Sequence, residues 1–310
     1  MDSIVATRPG SLQSLIAVLL RTVLRATLLP AFSPHRTIAE QRRRVALVTR
    51  LTLRARGVDF TAATSSGVSG EFVRGRDRAA ASGTVLYLHG GAYCLGSPAT
   101  HRSITSHLAR RAGAEVFVAD YRLAPEHPFP AALEDAVAAY RGLLARAGGP
   151  SSLALVGDSA GGGLALALAL RLRQLGEPLP AALVLMSPWI DLGRPDRGST
   201  PPGEVMISLP WVEACARLYL AATDAAEPLA SPINGDLRGL PPVLIQVGTD
   251  EILLQDSQRL HAALIQAGVV VELQQYPGRW HVFQASAGAL ADADRALESA
   301  AQFLCRAWAA

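Results

Sequence analysis

One serine lies in a pattern that is typical of a nucleophile. The stretch GDSAG at residues 157–161 follows an apolar run, SLALVG, and precedes a run with helical spacing. A strand–turn–helix corner holds the middle residue in a strained backbone and exposes its side chain at the edge of a sheet, while flanking glycines let strand and helix come close. The sequence therefore predicts that Ser159 is a nucleophile, and the structural alternative is that Ser159 only caps the helix.

A serine hydroxyl needs a base to take its proton, and that base needs an anionic partner to fix its tautomer. His281 follows the last apolar strand, in YPGRWHVF, and is the predicted base. Asp250 follows an earlier strand, in GTDEIL, and is the predicted acid. This order of serine, acid and histidine is that of an α/β-hydrolase sheet. Two rivals for the acid are Glu251, expected to point elsewhere, and Asp256, expected within a helix.

A second glycine-rich stretch, HGGAY at residues 89–93, follows the apolar run TVLYL. Attack of a serine on a carbonyl carbon gives a tetrahedral intermediate with negative charge on the former carbonyl oxygen, which needs N–H donors about 3 Å away. Gly90 and Gly91 can offer N–H groups with no Cβ in the way of a substrate, and the N–H of Ala160 lies at a helix N-terminus. We predict that these three groups form an oxyanion hole, with His89 holding the loop by a side-chain hydrogen bond. A plain turn is the alternative.

The other histidines have structural interpretations. His101, His107 and His261 lie in predicted helices, where we expect them to be exposed. The sequence therefore leaves His281 as the base.

The elements that position these residues alternate along the chain. Two helices, at about 11–29 and 35–56, precede two strands joined by the turn SSGVS, and apolar strands then alternate with helices to the C-terminus. Continuous apolar strands suit a mostly parallel sheet that is covered on both faces. We predict an α/β fold with roughly eight strands. A Pro- and Gly-rich insert at about 191–239 contains a short helix around 209–221 and interrupts the alternation.

Composition and charge exclude several classes of function. The 310 residues are 50% hydrophobic, and the formal net charge is +3. Residues 1–60 hold ten arginines against three acidic residues, yet no nucleic-acid-binding motif accompanies them, so we expect no nucleic-acid partner. Cys94, Cys215 and Cys305 form no disulfide framework or metal motif. We therefore expect no metal or other cofactor, and a cytoplasmic location.

The apolar stretch at residues 11–30 is long enough to suggest a membrane span. Arg21 and Arg25 interrupt it, and no uncharged run reaches the ~18–20 residues that a bilayer requires. The two arginines lie four residues apart, on one face of a helix. We predict an amphipathic helix that packs on the protein itself, with no integral membrane span and no signal peptide. Contact of this helix with a membrane surface stays open.

The chain resembles the bacterial hormone-sensitive-lipase-like esterases, also called family IV esterases. The matching stretches are HGGAY, DYRLAPEHPFPAALED, GDSAGGG, GTDEILLQDS and WHVF, which span nearly all of residues 84–283. The resemblance implies an α/β-hydrolase with a helical cap, here residues 1–56 and the insert at about 191–239, on a catalytic domain of residues 57–310. It also implies that Arg122 and Glu126 brace the loops near the site.

The resemblance carries the same site roles onto this chain. It implies a triad of Ser159, Asp250 and His281, and oxyanion donors at Gly90, Gly91 and Ala160. The chain departs from the family at two places. Ala92 stands where the motif often has a third glycine, and a methyl group there would narrow the acyl pocket. Many members have Asp-Pro-Leu where this chain has Asp250 followed by Glu and Ile.

Together these features predict a cofactor-free serine hydrolase of carboxylic esters with short to medium acyl chains. Candidate pocket walls, each of which could equally be cap core, are Trp189, Met206, Trp211, Leu218 and Tyr219. Lactone hydrolysis, amide hydrolysis and acyl transfer share the same triad and stay open. Two other classes are a non-catalytic ligand-binding member of the fold and a protein that acts at a membrane surface through its basic N-terminus. The oligomeric state is also open, with a homodimer among the options.

Overall fold

A computed structural model describes residues 2–4, 11–76, 82–194 and 198–310. Within those ranges one sheet contains nine strands, namely β1 (Asp2–Ile4), β2 (Val58–Ser65), β3 (Val68–Gly75), β4 (Thr84–Leu88), β5 (Glu115–Ala119), β6 (Leu153–Asp158), β7 (Leu183–Met186), β8 (Val243–Gly248) and β9 (Val271–Tyr276). Their order is β1-β9-β8-β7-β6-β4-β5-β3-β2. Only the pairs of β3 with β2 and β5 are antiparallel among these described strands. The predicted, mostly parallel α/β sheet is confirmed, with the short β1 as an additional edge strand.

Eight α-helices flank the sheet in the described part of the chain. They are α1 (Ser11–Thr27), α2 (Ile38–Val48), α3 (Arg102–Ala112), α4 (Ala131–Arg146), α5 (Ala160–Gln174), α6 (Leu209–Leu220), α7 (Leu254–Gln266) and α8 (Ala291–Trp308). Among these described helices, none is both long enough and apolar enough to cross a membrane.

The central strands are buried along their whole length. Every residue of β4 to β8 is buried, because helices cover both faces of the sheet. Val85 and Tyr87 belong to one hydrophobic cluster, and Leu86 and Leu88 belong to the other. Successive side chains of a strand point to opposite faces, so one cluster lies on each face of the sheet.

Parallel pairing brings three motifs to one edge of the sheet. Leu88 pairs with Gly157, Asp158 pairs with Met186, and Gly248 lies opposite Tyr276. The C-terminal ends of β4, β6 and β8 therefore meet, and from them run the HGGAY stretch, the serine turn and the GTDE stretch. This is the edge where ligands bind in open α/β sheets.

The second N-terminal helix is shorter than its apolar pattern predicts. α2 begins after Thr37, because Thr37 and Glu40 form a reciprocal capping box. It ends at Val48, and a single 3-10 turn follows at residues 49–51. Thr52 then has an extended backbone, and the N–H of Ala55 donates to Ser106 Oγ of α3 at 2.9 Å. The helix predicted over 35–56 is therefore wrong in its second half.

Polar contacts fasten the two N-terminal helices over the edge of the sheet that carries the motifs. Arg21 of α1 donates to Asp250 Oδ2 at 2.9 Å and to the carbonyl of Gly278 at 2.8 Å. Gln41 of α2 accepts from Trp211 Nε1 of α6 at 2.7 Å. The two N-terminal helices therefore contact both the loops of the sheet edge and α6.

Candidate active site

Ser159 lies at the corner between β6 and α5, in a backbone conformation that L-residues rarely adopt. Its φ is 53° and its ψ is −123°. The corner is tight enough to require glycine: a Cβ on Gly157 would overlap the carbonyl group of Gly161, and a Cβ on Gly161 would overlap the carbonyl oxygen of Leu88. The serine side chain makes no capping hydrogen bond to α5. The helix-cap alternative is therefore excluded, and the hydroxyl is held for another contact.

That contact is with His281. Its Nε2 lies 2.9 Å from Ser159 Oγ, and both side chains are buried. His281 lies in the segment between β9 and α8, after the C-terminal end of β9. This places it at the same edge of the sheet as Ser159. The structure thus brings together the two residues that the sequence singled out as nucleophile and base.

The carboxylate beside His281 belongs to Glu251. Its Oε1 lies 3.1 Å from His281 Nδ1, and its Oε2 accepts from Ser187 Oγ at 2.7 Å and from the N–H of Gly248 at 3.0 Å. Glu251 is buried. All of its contacts hold the carboxylate in one orientation against the imidazole, so the expectation that Glu251 points elsewhere is wrong.

Asp250 does not contact His281, and its assignment as the acid partner is wrong. Its carboxylate pairs with Arg21 at 2.9 Å and is about one-third exposed. The physical reason is the course of the chain after β8. The N–H groups of Thr249 and Asp250 donate to the carbonyls of Tyr276 and Arg279, so strand-like pairing continues for two residues, and the first acid that turns inward is Glu251.

The predicted alternative at Asp256 is also separate from the imidazole. Asp256 lies in the first turn of α7 and pairs with Arg194 at 3.2 Å. Its helical position agrees with the expectation from the sequence.

A second buried carboxylate, on Glu204, lies in the segment before α6. Its Oε1 accepts from the N–H groups of Val205 and Met206, each at 2.8 Å, and its Oε2 accepts from the N–H of Ile252 at 3.3 Å. Burial raises the pKa of Glu204, although the positive charge of His281 acts in the opposite direction. Its hydrogen bonds come from N–H donors, which favour the ionised form and so act against the effect of burial. This residue could not be predicted from the sequence, because nothing in the pattern PPGEVMI indicates a buried acid.

The surroundings of His281 favour its protonated form. Burial by itself lowers the pKa of an imidazole, but the hydrogen bond and charge of Glu251, followed by the charges of Glu204 and Asp158, outweigh it and raise the pKa above the ordinary value. An imidazole that takes a proton from Ser159 is therefore stabilised as the cation.

The backbone donors near Ser159 differ from the predicted set at one position. The N–H of Gly90 donates to Asp158 Oδ1 at 3.1 Å and is therefore already used, so its assignment to an oxyanion hole is wrong. Within the described residues, the N–H groups of Gly91, Ala92 and Ala160 donate to no protein acceptor. Gly90 is required for a different reason, because a Cβ there would overlap the Asp158 carboxylate.

The N–H of Ala92 is a free donor that was not predicted from the sequence. Gly91 has φ +120°, and Ala92 has φ +52°. Successive residues in such conformations turn neighbouring N–H groups into one concavity that attracts anions. A signal was present, since Ala92 occupies the position where the related motif often has a third glycine. That position tolerates positive φ, and the alanine keeps the N–H while adding a methyl group.

Asp158 anchors the loop that carries these donors. It accepts from Tyr87 Oη at 2.6 Å and from Gly90, and its Oδ2 lies 3.4 Å from His101 Nε2. Burial opposes ionisation of Asp158, but the charge of His101 and the hydrogen bonds lower its pKa below the ordinary value. The same pair raises the pKa of His101 against the effect of burial. His101 is therefore a largely buried partner of Asp158, and the prediction that it is exposed is wrong.

The other two helix histidines are also less exposed than predicted. His261 is buried and His107 is partly buried.

His89 holds the same loop from below. Its Nδ1 bonds with the carbonyl of Gly90 at 2.9 Å, and its ring stacks on Tyr121 with 4.3 Å between centroids. Burial, with a smaller contribution from the charge of His101, lowers the pKa of His89 to about 3, so the ring stays neutral. These contacts fit the predicted loop-holding role.

An apolar pocket of about 130 Å³ opens beside Ser159 and His281. Two of the five predicted wall residues, Met206 and Trp211, line it. Further apolar walls come from the N-terminal helices and the chain between them, namely Leu24, Leu28, Phe32, Val45 and Val48, and most of the other lining residues lie in the loops at the sheet edge. Trp211 packs on Phe32 with 4.7 Å between ring centroids. The pocket therefore depends on residues that lie more than a hundred positions from the serine.

The other three predicted wall residues, Trp189, Leu218 and Tyr219, do not line this pocket. Tyr219 stacks on Tyr93 with 3.7 Å between ring centroids, and Trp189 lies 6.1 Å from the same ring. Leu218 is partly buried against the same hydrophobic cluster. These side chains fill the core beneath the HGGAY stretch, which is the alternative that the sequence left open.

Arg122 and Glu126 make ion pairs near the site. Glu126 receives two hydrogen bonds from Arg42 of α2, at 2.7 and 2.8 Å, and Arg42 also donates to the carbonyls of Cys94 and Ala124. Arg122 pairs with Asp135 at 2.8 Å. In the ranges that the structure describes, no group of three potential ligand side chains could hold a metal ion.

The chain is similar to known hydrolases over most of its length. A family model described as alpha/beta hydrolase fold matches residues 85–285. An acetyl-hydrolase of Streptomyces hygroscopicus is 48% identical over 71% of this chain and 75% of its own length. An esterase of Acinetobacter venetianus is 39% identical over 77% of this chain and 79% of its own length.

Solved structures extend the similarity to the N-terminal helices. The crystal structure of an esterase from the bacterial hormone-sensitive lipase family superposes with a TM-score of 0.86 at 38% identity, covering 97% of this chain and all of that one. The structure of EstE5 superposes with a TM-score of 0.90 at 37% identity and the same coverage. The resemblance predicted from the motifs is confirmed, and the chain belongs to the α/β-hydrolase family, among the relatives of the bacterial hormone-sensitive-lipase esterases.

Proposed function

We propose that this protein is a serine carboxylesterase that hydrolyses short- to medium-chain acyl esters through an acyl-enzyme. The observation that carries the proposal is the continuous contact from Ser159 Oγ through His281 to Glu251, at the wall of an apolar pocket. A nucleophile, a base and an orienting acid in hydrogen-bond reach are the minimum that acyl transfer requires. Named relatives that are esterases and acetyl-hydrolases support the same reaction.

In the first half of the reaction, Ser159 Oγ attacks the ester carbonyl carbon while His281 Nε2 takes the hydroxyl proton. Glu251 stabilises the resulting imidazolium through Nδ1–H. The carbonyl oxygen becomes an oxyanion and accepts from the N–H groups of Gly91, Ala92 and Ala160. The bond to the leaving oxygen then breaks, His281 donates its proton to that oxygen, and the alcohol departs from the acyl-enzyme.

In the second half, a water molecule replaces the alcohol. His281 takes a proton from the water, and the hydroxide attacks the acyl carbon of the Ser159 ester. The same N–H groups hold the second oxyanion. The intermediate collapses, His281 returns a proton to Ser159 Oγ, and the carboxylic acid leaves.

The acyl chain occupies the pocket formed by Leu24, Leu28, Val45, Val48 and Met206. These walls come from residues 1–56 and from the insert at about 191–239, which we propose act together as a cap on the catalytic domain of residues 57–310. A pocket closed by a cap favours short and medium chains over long triglyceride chains. We further propose a cytoplasmic location, which the three free cysteines support.

The test is hydrolysis of a series of p-nitrophenyl esters, from acetate to palmitate, by the wild type and by Ser159→Ala. We expect the highest kcat/KM at short chain lengths. Loss of Ser159 should lower kcat by about 10⁵–10⁶-fold. A folded protein with no activity on any ester of the series would move lactones, amides and acyl transfer ahead of simple ester hydrolysis. Equal activity in Ser159→Ala would overturn the mechanism.

A further inference from the structure

The outer face of α1 carries five large apolar side chains that stay exposed among the residues that the structure describes. Leu12, Leu15, Val18, Leu19 and Val23 are between 45% and 67% exposed. Their spacing of three and four residues places them on one side of the helix. The opposite side is also apolar, and it packs on the protein. Large apolar side chains on both sides of a surface helix are unusual, because the side that faces solvent is normally polar.

A second set of exposed apolar side chains lies at the end of α2 and in the segment that follows it. Leu47, Leu51 and Leu53 are between 51% and 81% exposed. In the described chain eleven large hydrophobic side chains are exposed, and eight of them lie between residues 12 and 53. Scattered exposed leucines need no explanation, but a concentration in one segment of the fold marks an interaction surface. We call these eight side chains the cap face.

Positive charge accompanies the cap face. Arg25 lies on the exposed side of α1, and Arg43, Arg44 and Arg50 are exposed on α2 and the turn after it. Glu40 is the one acidic residue in the two helices. A second copy of the chain docked face to face would bring these arginines close to the same arginines of the other copy, and like charges across an interface oppose association. An anionic surface has the charge that complements them.

The cap face lies on the outer side of the helices whose inner side lines the acyl pocket. The inner sides of the same helices supply Leu24, Val45 and Val48 to the pocket lining, and Leu28 joins them directly after the end of α1. A helix with its side chains is about 10–12 Å across. One layer of helix therefore separates the cap face from the space beside Ser159.

We propose that the cap face docks on anionic lipid membranes, with α1 and α2 lying in the plane of the interface. Exposed leucines enter the boundary between headgroups and acyl chains, and the arginines contact lipid phosphates. The docking itself does not depend on esterase activity. If the proposed function holds, docking places the acyl pocket one helix layer from a store of lipid-dissolved esters.

The test is co-sedimentation of the full chain with vesicles of phosphatidylglycerol and phosphatidylcholine in equal parts, compared with phosphatidylcholine alone. We expect binding to the anionic vesicles, weaker binding to the neutral ones, and release as salt rises, because exposed charges are screened at high ionic strength. The inactive Ser159→Ala variant should bind as the wild type does. This separates failure of the docking proposal from failure of the proposed function.

Two double variants test the cap face directly. Leu15→Glu with Leu19→Glu should weaken partitioning by at least about tenfold, since it removes two inserted side chains and adds negative charge. Arg43→Gln with Arg44→Gln should weaken it by about 25-fold, as each arginine near an anionic surface contributes roughly fivefold. Neither pair lines the pocket, so hydrolysis of soluble p-nitrophenyl butyrate should stay within about twofold and report a native fold.

Matched controls change equally exposed residues elsewhere. Ile265→Glu with Val270→Glu alters two exposed apolar side chains of α7 and the loop that follows it, and Arg238→Gln with Arg306→Gln removes two exposed charges. Both controls should bind vesicles as the wild type does. Undiminished binding of the Leu15 and Leu19 variant would overturn the proposal. So would a wild-type dimer in sedimentation velocity that this variant alone converts to monomer, because the cap face would then be a dimer interface.

Discussion

Two adjacent carboxylates follow β8, and they have different partners. Glu251 contacts His281 and is buried, whereas Asp250 pairs with Arg21 at the surface. Glu251→Gln keeps the shape but removes the charge that stabilises the imidazolium, so we expect kcat to fall by about 10³–10⁴-fold. Asp250→Asn removes an exposed ion pair that contributes at most about 1 kcal/mol to stability, and kcat should stay within about threefold. Steady-state hydrolysis of p-nitrophenyl butyrate measures both.

Comparing the two variants identifies the acid partner of His281, because each variant replaces one of two neighbouring carboxylates with its amide. A large loss in Asp250→Asn together with a small one in Glu251→Gln would return the acid to Asp250. The sequence could not decide between the two, because strand-like pairing continues past Gly248 and its extent depends on the loop after β9, at Tyr276 and Arg279. A shift of one residue exchanges the inward and outward acids.

The pH dependence of the reaction follows from the carboxylates around His281. The base must be neutral to accept a proton, so kcat/KM rises as pH passes the pKa of His281 in the free enzyme. That pKa is raised above the ordinary 6.5, against burial, chiefly by Glu251 and then by Glu204 and Asp158. The midpoint of the acidic limb of the kcat/KM profile should therefore lie above pH 6.5. In Glu204→Gln it should move to lower pH, because one charge that favours the imidazolium is gone.

The pH profile separates electrostatic tuning from a merely structural role of Glu204. Loss of packing alone would lower kcat at all pH values and leave the midpoint of the limb in place. A partly exposed acid of α2, changed in Glu40→Gln, provides the control and should leave the midpoint unchanged. An unmoved limb in Glu204→Gln would mean that this carboxyl carries no charge in the free enzyme at the pH of the limb.

At the scale of elements, one arginine joins α2 to the loops under the site. Arg42 donates to Glu126, Cys94 and Ala124, which lie on two different loops. Arg42→Ala removes all of these bonds and leaves two carbonyl groups without a side-chain donor, so we expect a loss of about 1–3 kcal/mol in the free energy of unfolding. Glu126→Gln removes only the exposed ion pair and should cost less than about 1 kcal/mol. Urea unfolding of both variants measures the difference.

Equal losses in the two variants would show that the ion pair, and not the carbonyl contacts, carries the stability. A loss in Arg42→Ala of less than about 0.5 kcal/mol would show that α2 is held by its apolar contacts alone.

Elements with long apolar patterns were predictable, and short or context-dependent ones were not. The buried strands β4 to β8 and the helices between them have continuous apolar runs, which the sequence displays directly. β1 is three residues long and exists through its pairing with β9. After α2 the chain becomes extended at Thr52, and Ala55 bonds to Ser106 of α3. Such tertiary contacts override local propensity and leave no trace in the local pattern.

The loop that carries the oxyanion donors also has one feature that the sequence predicts and one that it does not. The two glycines and the strand before them predict a backbone that approaches a ligand closely, and Gly91 is among the free donors. The engagement of Gly90 could not be predicted, because its acceptor is the carboxylate of Asp158 on another strand. The position of Asp158 relative to the loop depends on the register of β4 against β6.

At the scale of the whole molecule, the acyl pocket is assembled from distant parts of the chain. Its lining comes from residues 24–52, 90–104, 158–159, 206–211 and 280–286. No local pattern reports such a surface, which is why two of the five predicted wall residues line it and three lie in the core. We therefore expect chain-length preference to depend on how the N-terminal helices and the segment around α6 lie on the sheet.

Met206 provides a test of that assembly. It lines the pocket from the insert, and its side chain is only partly buried, so Met206→Ala enlarges the space available to an acyl chain. We expect the chain length with the highest kcat/KM to increase by about two to four carbons, because the removed side chain has three heavy atoms beyond Cβ, while kcat/KM for acetate falls several-fold as apolar contact is lost. The p-nitrophenyl ester series measures both effects. Leu218→Ala is the matched control, since Leu218 packs in the core and should lose stability without a change in chain-length preference. A longer preferred chain in Leu218→Ala, with none in Met206→Ala, would place the acyl chain on the other side of α6.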